Sequence, residues 1–181
     1  DHYIAAYGGF SCQEYLPSGE VRISPLKVSA ATLKDLRENL LLFFTGYSRE
    51  AADLLAGQKK KSEQGEARMI DGLNAVKALG FRIKERLEAG DAEGFAALMH
   101  EHWLAKRARD GGISNDRINR LYDLGLKNGA LGGKLVGAGS GGFMLFYAPD
   151  RPRLRAAMRE AGLMEMDFAF DFDGSIVQLR S

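Results

Sequence analysis

Lys134-Leu135-Val136-Gly137-Ala138-Gly139-Ser140-Gly141-Gly142-Phe143-Met144-Leu145-Phe146-Tyr147 sets a bare glycine loop between two short apolar segments. Gly137, Gly139 and Gly142 satisfy G-x-G-x-x-G, yet a dinucleotide fingerprint must open a helix after its last glycine and carry an acidic residue about 20 positions on. Phe143 to Tyr147 is instead an apolar and aromatic run halted by Pro149, the pattern of a buried β-strand. The nicotinamide reading therefore fails. What remains is a strand-to-strand loop whose outward N–H groups form a concavity suited to anionic oxygens. A glycine-rich turn with no ligand is the alternative.

Outward from this loop, hydrophobic periodicity divides the chain. Phe10 to Tyr15 and Val21 to Ile23, joined across Pro17, Ser18 and Gly19, predict a hairpin. Ala30 to Glu38 is polar and ambiguous, and Leu40 to Thr45 reads as a buried strand. Ser48 is positioned to cap a helix starting near Arg49. Met69, Leu73, Val76, Leu79, Ile83 and Leu87 recur at three- and four-residue steps, which predicts a long amphipathic helix ended by Gly90. Asp91 caps the next helix, Gly111 and Gly112 break it, and Ser114 starts another. Pro149, Asp150 and Pro152 introduce a further helix to about Ala161. Phe168, Phe170 and Phe172, followed by Asp173-Gly174 and Ile176 to Leu179, predict a second hairpin. Strands separated by helices without regular alternation imply an α+β domain, its helices packed on one side of a mainly antiparallel sheet.

The 181 residues carry 25 basic and 24 acidic side chains, a net charge of +1, so no global field favours nucleic acid or an anionic membrane. Any anion must be held locally. The longest strongly apolar run, Leu40 to Phe44, is far below the roughly 20 residues of a membrane helix. Cys12 is the only cysteine, which rules out an internal disulfide and fits a reducing, cytoplasmic setting. The first residue is Asp1 and no signal-like leader precedes it, so an upstream segment is expected to be missing.

Two further places could face a ligand. Thr45-Gly46-Tyr47-Ser48-Arg49 puts a hydroxyl, a flexible glycine, a capping serine and a guanidinium at a strand-to-helix junction, where phosphate oxygens are commonly received. Arg49 could equally pair with Asp53 at the surface. Lys59, Lys60 and Lys61 read as a solvated helix face. His100 and His102 flank Glu101 at a spacing that points them to different sides of a helix, which speaks against a metal site and for packing of His102 with Trp103.

Together the Asp1-to-Gly9 opening, the segment Phe43 to Arg49 and the glycine run Gly132 to Phe143 resemble the GHMP sugar kinases. Glu101-His102-Trp103 and Lys106-Arg107 are similar to that family's heptose 7-phosphate kinase branch. The resemblance covers nearly the whole chain. It implies a ferredoxin-like C-terminal kinase domain over residues 29–181 and a remnant of the N-terminal domain over residues 1–28. It further implies transfer of the γ-phosphoryl group of Mg²⁺-ATP to a sugar hydroxyl, in this branch the anomeric hydroxyl of D-glycero-D-manno-heptose 7-phosphate.

By the same resemblance Asp1 falls at the catalytic aspartate, and Tyr7, Gly8 and Gly9 fall in the adjoining sugar-facing segment. Thr45, Gly46, Ser48 and Arg49 are carried over as substrate-binding. Lys134, Gly137, Ala138, Gly139, Ser140, Gly141 and Gly142 fall in the phosphate-facing motif. His2 stands where the family commonly has Gln, and the family's serine-rich phosphate loop would lie upstream of Asp1. The expected partners are ATP, Mg²⁺, a sugar phosphate and the missing N-terminal kinase segment, with homo-oligomerisation open and no nucleic acid or membrane. This chain alone is expected to be inactive, because a catalytic carboxylate at a fraying end would not be locked in place. A non-catalytic sugar-phosphate-binding or protein-interaction module of the same fold is the other reading.

Overall fold

The computed structural model describes residues 2–47, 51–137 and 139–176, with side chains other than those at 51–54 and 68. The chain opens with α1 (His2–Tyr7), β1 (Ser11–Tyr15), β2 (Val21–Pro25), α2 (Ala30–Asn39) and β3 (Leu40–Phe44). Four helices follow: α3 (Ala51–Glu63), α4 (Ala67–Glu88), α5 (Ala92–Arg109) and α6 (Asp116–Lys127). After them come β4 (Gly132–Leu135), β5 (Phe143–Tyr147), α7 (Arg151–Glu160) and β6 (Met164–Met166). No helix among the described residues is long and apolar enough to cross a membrane.

Apolar strands that can bury both faces take the middle of a sheet. β3 and β5 do so, pairing antiparallel from Leu40↔Tyr147 to Phe44↔Phe143. The shorter β4 and β6 flank them, giving the order β4-β5-β3-β6 with every neighbour antiparallel. This is the β-α-β-β-α-β order of a ferredoxin-like sheet. Side chains alternate between its two faces. Leu41, Phe43, Leu135, Met144 and Phe146 join Ile118, Leu121 and Tyr122 of α6 and Leu154 and Met158 of α7 in one core. Leu40, Leu145 and Tyr147 join Leu36, Leu87, Ala92, Ala96 and Met99 in the other. Helices therefore cover both faces, not the single face expected, because β3 and β5 are apolar at odd and even positions alike.

The helix starts are fixed by side-chain caps that satisfy first-turn N–H groups. Ser29 accepts from Thr32 N–H at 3.1 Å, Asp91 from Gly94 N–H at 2.7 Å and Asp150 from Arg153 N–H at 3.3 Å. Asn115, one residue after the expected Ser114, accepts from Ile118 N–H at 3.0 Å. The ambiguous stretch at 30–39 is helical for the same reason, since Ser29 supplies its cap.

The hairpin at 11–25 forms as expected, as a separate two-stranded sheet. The second is not seen among the described residues. Residues 167–176 hold no strand, and of the second half of the expected pair, Val177 to Leu179 lie outside the described residues. Asp171 instead accepts from Asp173 and Gly174 N–H groups at 2.9 and 3.2 Å, closing a local turn. Phe170 packs edge-on against Phe10 at 5.0 Å between ring centroids. The alternating phenylalanines found an aromatic partner on the N-terminal segment rather than a strand edge.

Gly132 marks the closest approach of sheet and helix, because a Cβ there would overlap the Ala96 carbonyl of α5. Gly132→Ala is expected to destabilise the chain by at least about 3 kcal/mol, since backbone on both sides must part. Gly80→Ala, in open space on α4, should gain about 0.5–1 kcal/mol from helix propensity. Urea unfolding of both variants against wild type measures the contrast.

Candidate functional site

The glycine loop leaves β4 and returns into β5, and it is clamped at both ends. Thr45 N–H donates to the Gly142 carbonyl at 2.9 Å, and Gly142 N–H donates to the Tyr47 carbonyl at 2.8 Å. Val136 N–H donates to the Phe143 carbonyl at 2.8 Å, closing the loop at its base. At the tip, Ser140 N–H donates to the Ile113 carbonyl at 2.8 Å, and its hydroxyl donates to the Gly112 carbonyl.

Ser140 sits at φ 63°, the left-handed region that a residue with a Cβ occupies at a penalty. Its two bonds to the turn at 112–113 hold it there. Gly139, at φ 133°, has no such latitude, because a Cβ would come 2.7 Å from the Ile113 carbonyl oxygen. Among the described residues, the N–H groups of Gly137, Gly139 and Gly141 donate to no acceptor. The loop spends part of its amides on its own clamp and leaves these three.

The expected residues at 45–47 thus meet the expected loop at 137–142. Thr45 is buried, and its hydroxyl donates to the Gly142 carbonyl at 2.8 Å and the Tyr47 carbonyl at 3.2 Å, so it holds the loop rather than reaching outward. Gly46 lies beside Arg117, which donates to the Thr45 carbonyl at 3.4 Å. Tyr47 hydroxyl accepts from Asn115 at 2.7 Å. Asp1, Ser48, Arg49 and Ala138 lie outside the described residues.

The N-terminal residues lie elsewhere. Gly8 N–H donates to Ile4 at 2.8 Å and Gly9 N–H to Asp171 at 2.6 Å, so both amides are used internally. Together with the exposed Tyr7 and with Phe10, Ile23 and Phe172 they line an open cavity of about 400 Å³. Among the described residues no hydrogen bond joins Gly8 or Gly9 to the glycine loop.

Beside the loop is a group of cations that sequence reasoning did not assemble. His102, Lys106 and Arg109 fall at i, i+4 and i+7 on α5 and so share one stripe. Lys134 pairs with Leu145, whose side chain packs in the core on the α5 side, and so faces the same helix. Lys106 Nζ donates to the Gly137 carbonyl, tying the stripe to the loop. Arg109 lies across Gly72 of α4 and donates to Gln58 Oε1 at 3.0 Å, while its Nε is buried without a partner. His102 Nδ1 is likewise buried and unpartnered.

These groups titrate as a crowded, desolvated set. Burial, then the charge of Lys134 and Arg109, pushes Lys106 down to about 8. Burial lowers Lys134 and Arg109 as well, Asp110 partly offsetting it at Arg109. His102 is pushed down to about 4 by burial, then by Lys134, Lys106 and Arg109. Asp110 itself is held low by Lys61, at 2.6 Å, and by Gly112 N–H, at 2.8 Å.

His100 faces elsewhere, bonding Tyr122 hydroxyl at 2.7 Å, and Tyr122 donates to the Gly133 carbonyl at 3.1 Å. No group of three His, Cys, Asp or Glu among the described residues could hold a metal ion. Chemically, three free amides and four basic groups without a shared carboxylate make an anion-accepting surface.

Residues 83–162 match the family described as GHMP kinases C terminal. The D-glycero-alpha-D-manno-heptose 7-phosphate kinase of Campylobacter jejuni is 32% identical over 177 residues, covering 96% of this chain and 51% of that protein. The L. major mevalonate kinase solved with R-mevalonate superposes with a TM-score of 0.71 at 18% identity, over 94% of this chain and 51% of its own. A D-glycero-D-manno-heptose 1-phosphate kinase from Bacteroides thetaiotaomicron superposes with a TM-score of 0.65 at 24% identity, over 98% and 49%. The chain therefore spans about half the length of each, and the two structures share its fold.

The depressed His102 carries a pH signature. Between its ordinary value of 6.5 and about 4, the unfolded chain takes a proton that the folded chain refuses, so stability falls on acidification. Wild type is expected to lose on the order of 1–3 kcal/mol more than His102→Gln across that interval. Paired urea titrations at pH 6.5 and 4 measure the difference.

Proposed function

Since residues 83–162 carry a GHMP kinase C-terminal domain, we propose that this chain is the C-terminal part of an ATP-dependent sugar kinase whose acceptor is the anomeric hydroxyl of D-glycero-D-manno-heptose 7-phosphate. The observation that carries this reading is the clamped loop with Gly137, Gly139 and Gly141 N–H groups left to donate. The similarity to the Campylobacter jejuni enzyme supports the choice of acceptor.

Phosphoryl transfer depends on alignment and on neutralising charge on the group in flight. Bound Mg²⁺-ATP supplies that group. The free amides of the loop would donate to phosphoryl oxygens, and the clamp from Thr45 and Tyr47 would keep those donors rigid. Ser140 would set the curvature of the loop, and Lys134 would add positive charge beside it. The described residues offer no ligand set for the magnesium ion. Asp1, with Tyr7, Gly8 and Gly9, would orient the acceptor hydroxyl and take its proton. Residues 1–28 would belong to the N-terminal domain, and Ser48 and Arg49 would contact substrate. The enzyme would act in the cytoplasm.

Joined to the remaining half of a heptose 7-phosphate kinase, the chain should phosphorylate the heptose in an ATP-dependent, coupled assay. Asp1→Asn in the joined protein should lose about 10²- to 10⁴-fold in kcat with the KM for ATP unchanged. Unaltered kcat would remove Asp1 from the mechanism. Sugar-phosphate binding with no transfer by the joined wild type would favour a non-catalytic module.

A further inference from the structure

Lys134 is half-buried, its ammonium is pushed down by desolvation, and it donates to no acceptor among the described residues. Burying a charge without a partner is destabilising, and replacing it with an apolar side chain of similar length is often neutral or favourable. Three more basic groups crowd the same place. Lys106 uses one donor on the Gly137 carbonyl and retains two. Arg109 keeps a buried Nε without a partner, and His102 keeps a buried Nδ1. Among the described residues, Arg109 alone of these cations feels a carboxylate, Asp110, and that carboxylate is paired with Lys61. Mutual repulsion and desolvation both oppose this arrangement unless an anion completes it.

Which anion fits is indicated by the lack of a shared carboxylate among the described residues. Nucleotide phosphates in kinases bring a divalent cation with them, and a metal ion placed here would meet repulsion from Lys106, Arg109 and Lys134. A metal-free phosphomonoester dianion meets attraction from Lys106, Arg109 and Lys134, with a guanidinium able to grip two oxygens at once. We propose that Lys106, Arg109 and Lys134, together with His102, form the recognition site for the phosphate that the sugar substrate already carries, separate from the phosphoryl group being transferred. The assignment to a sugar phosphate rests on the kinase reading, whereas the anion site itself does not.

The test uses the 181-residue chain with inorganic phosphate, D-glycero-D-manno-heptose 7-phosphate, the unphosphorylated heptose and Mg²⁺-AMPPNP as separate titrants in calorimetry. Wild type should bind inorganic phosphate and melt higher in phosphate than in chloride. Lys106→Met and Lys134→Met should each lose at least about tenfold in that affinity while melting no lower than wild type in chloride. The wild type should prefer the phosphorylated heptose by at least about tenfold, and Lys106→Met should bring that ratio to near one. Absence of phosphate binding by wild type would overturn the proposal. So would unchanged binding in both variants, or a marked fall in the melting temperature of Lys134→Met in chloride, which would make the lysine a structural cation. Collapse of Mg²⁺-AMPPNP binding with the heptose preference intact would also overturn it, by giving the cluster to the nucleotide. Persistence of phosphate discrimination in a joined protein that transfers nothing would defeat the kinase reading and leave the anion site standing.

Discussion

The antiparallel pairing of β3 with β5 is the constraint from which the other features follow. Five register pairs, Leu40↔Tyr147 through Phe44↔Phe143, bring together strands about a hundred residues apart in sequence. The ladder continues past the strands into the Thr45–Gly142 exchange. The same pairing that aligns two hydrophobic cores therefore also fixes the root of the glycine loop. Because both strands are apolar on both faces, helices must cover the sheet on each side. α5 is delivered to one face, where Gly132 allows it to approach the neighbouring strand closely. That proximity sets Lys134 against the basic stripe of α5.

Much of the fold was legible because its signals are local. Hydrophobic period, proline and glycine stops and capping residues gave α4, α5, α6 and α7 and the 11–25 hairpin within a residue or two. The failures are those where tertiary partners decide. Ala30 to Glu38 lacks a strong apolar stripe, and its helix depends on the Ser29 cap and the burial of Leu36. Phe168 to Phe172 alternates like a strand but forms none, and the rings of Phe170 and Phe172 settle on Phe10. The glycine loop was recognisable as a strand-to-strand turn, yet nothing in its composition tells which amides are consumed by the clamp.

The cationic cluster was least legible. Lys106 and Lys134 stood out in sequence only through the family resemblance, and Arg109 sits in an ordinary helical end where basic residues favour the dipole. Their meaning comes from α5 packing on β4, and a spacing of i, i+4 and i+7 was the one available sign. His102 was expected to pack beside Trp103; its Nδ1 is buried, and three cations bear on the ring. Thr45 shows the converse. A hydroxyl at a strand end suggested a ligand contact, while its burial makes it a fastener.

The fasteners of the glycine loop are mostly carbonyl oxygens of the main chain, at Tyr47, Gly112 and Ile113. Main-chain acceptors are present whatever side chains those positions carry. Lineages that share this sheet can therefore diversify residues 47, 112 and 113, and the α5 surface, while inheriting the same turn. The turn can thus stay constant while the surface around it changes, and the fold is shared with solved structures at 18% and 24% identity.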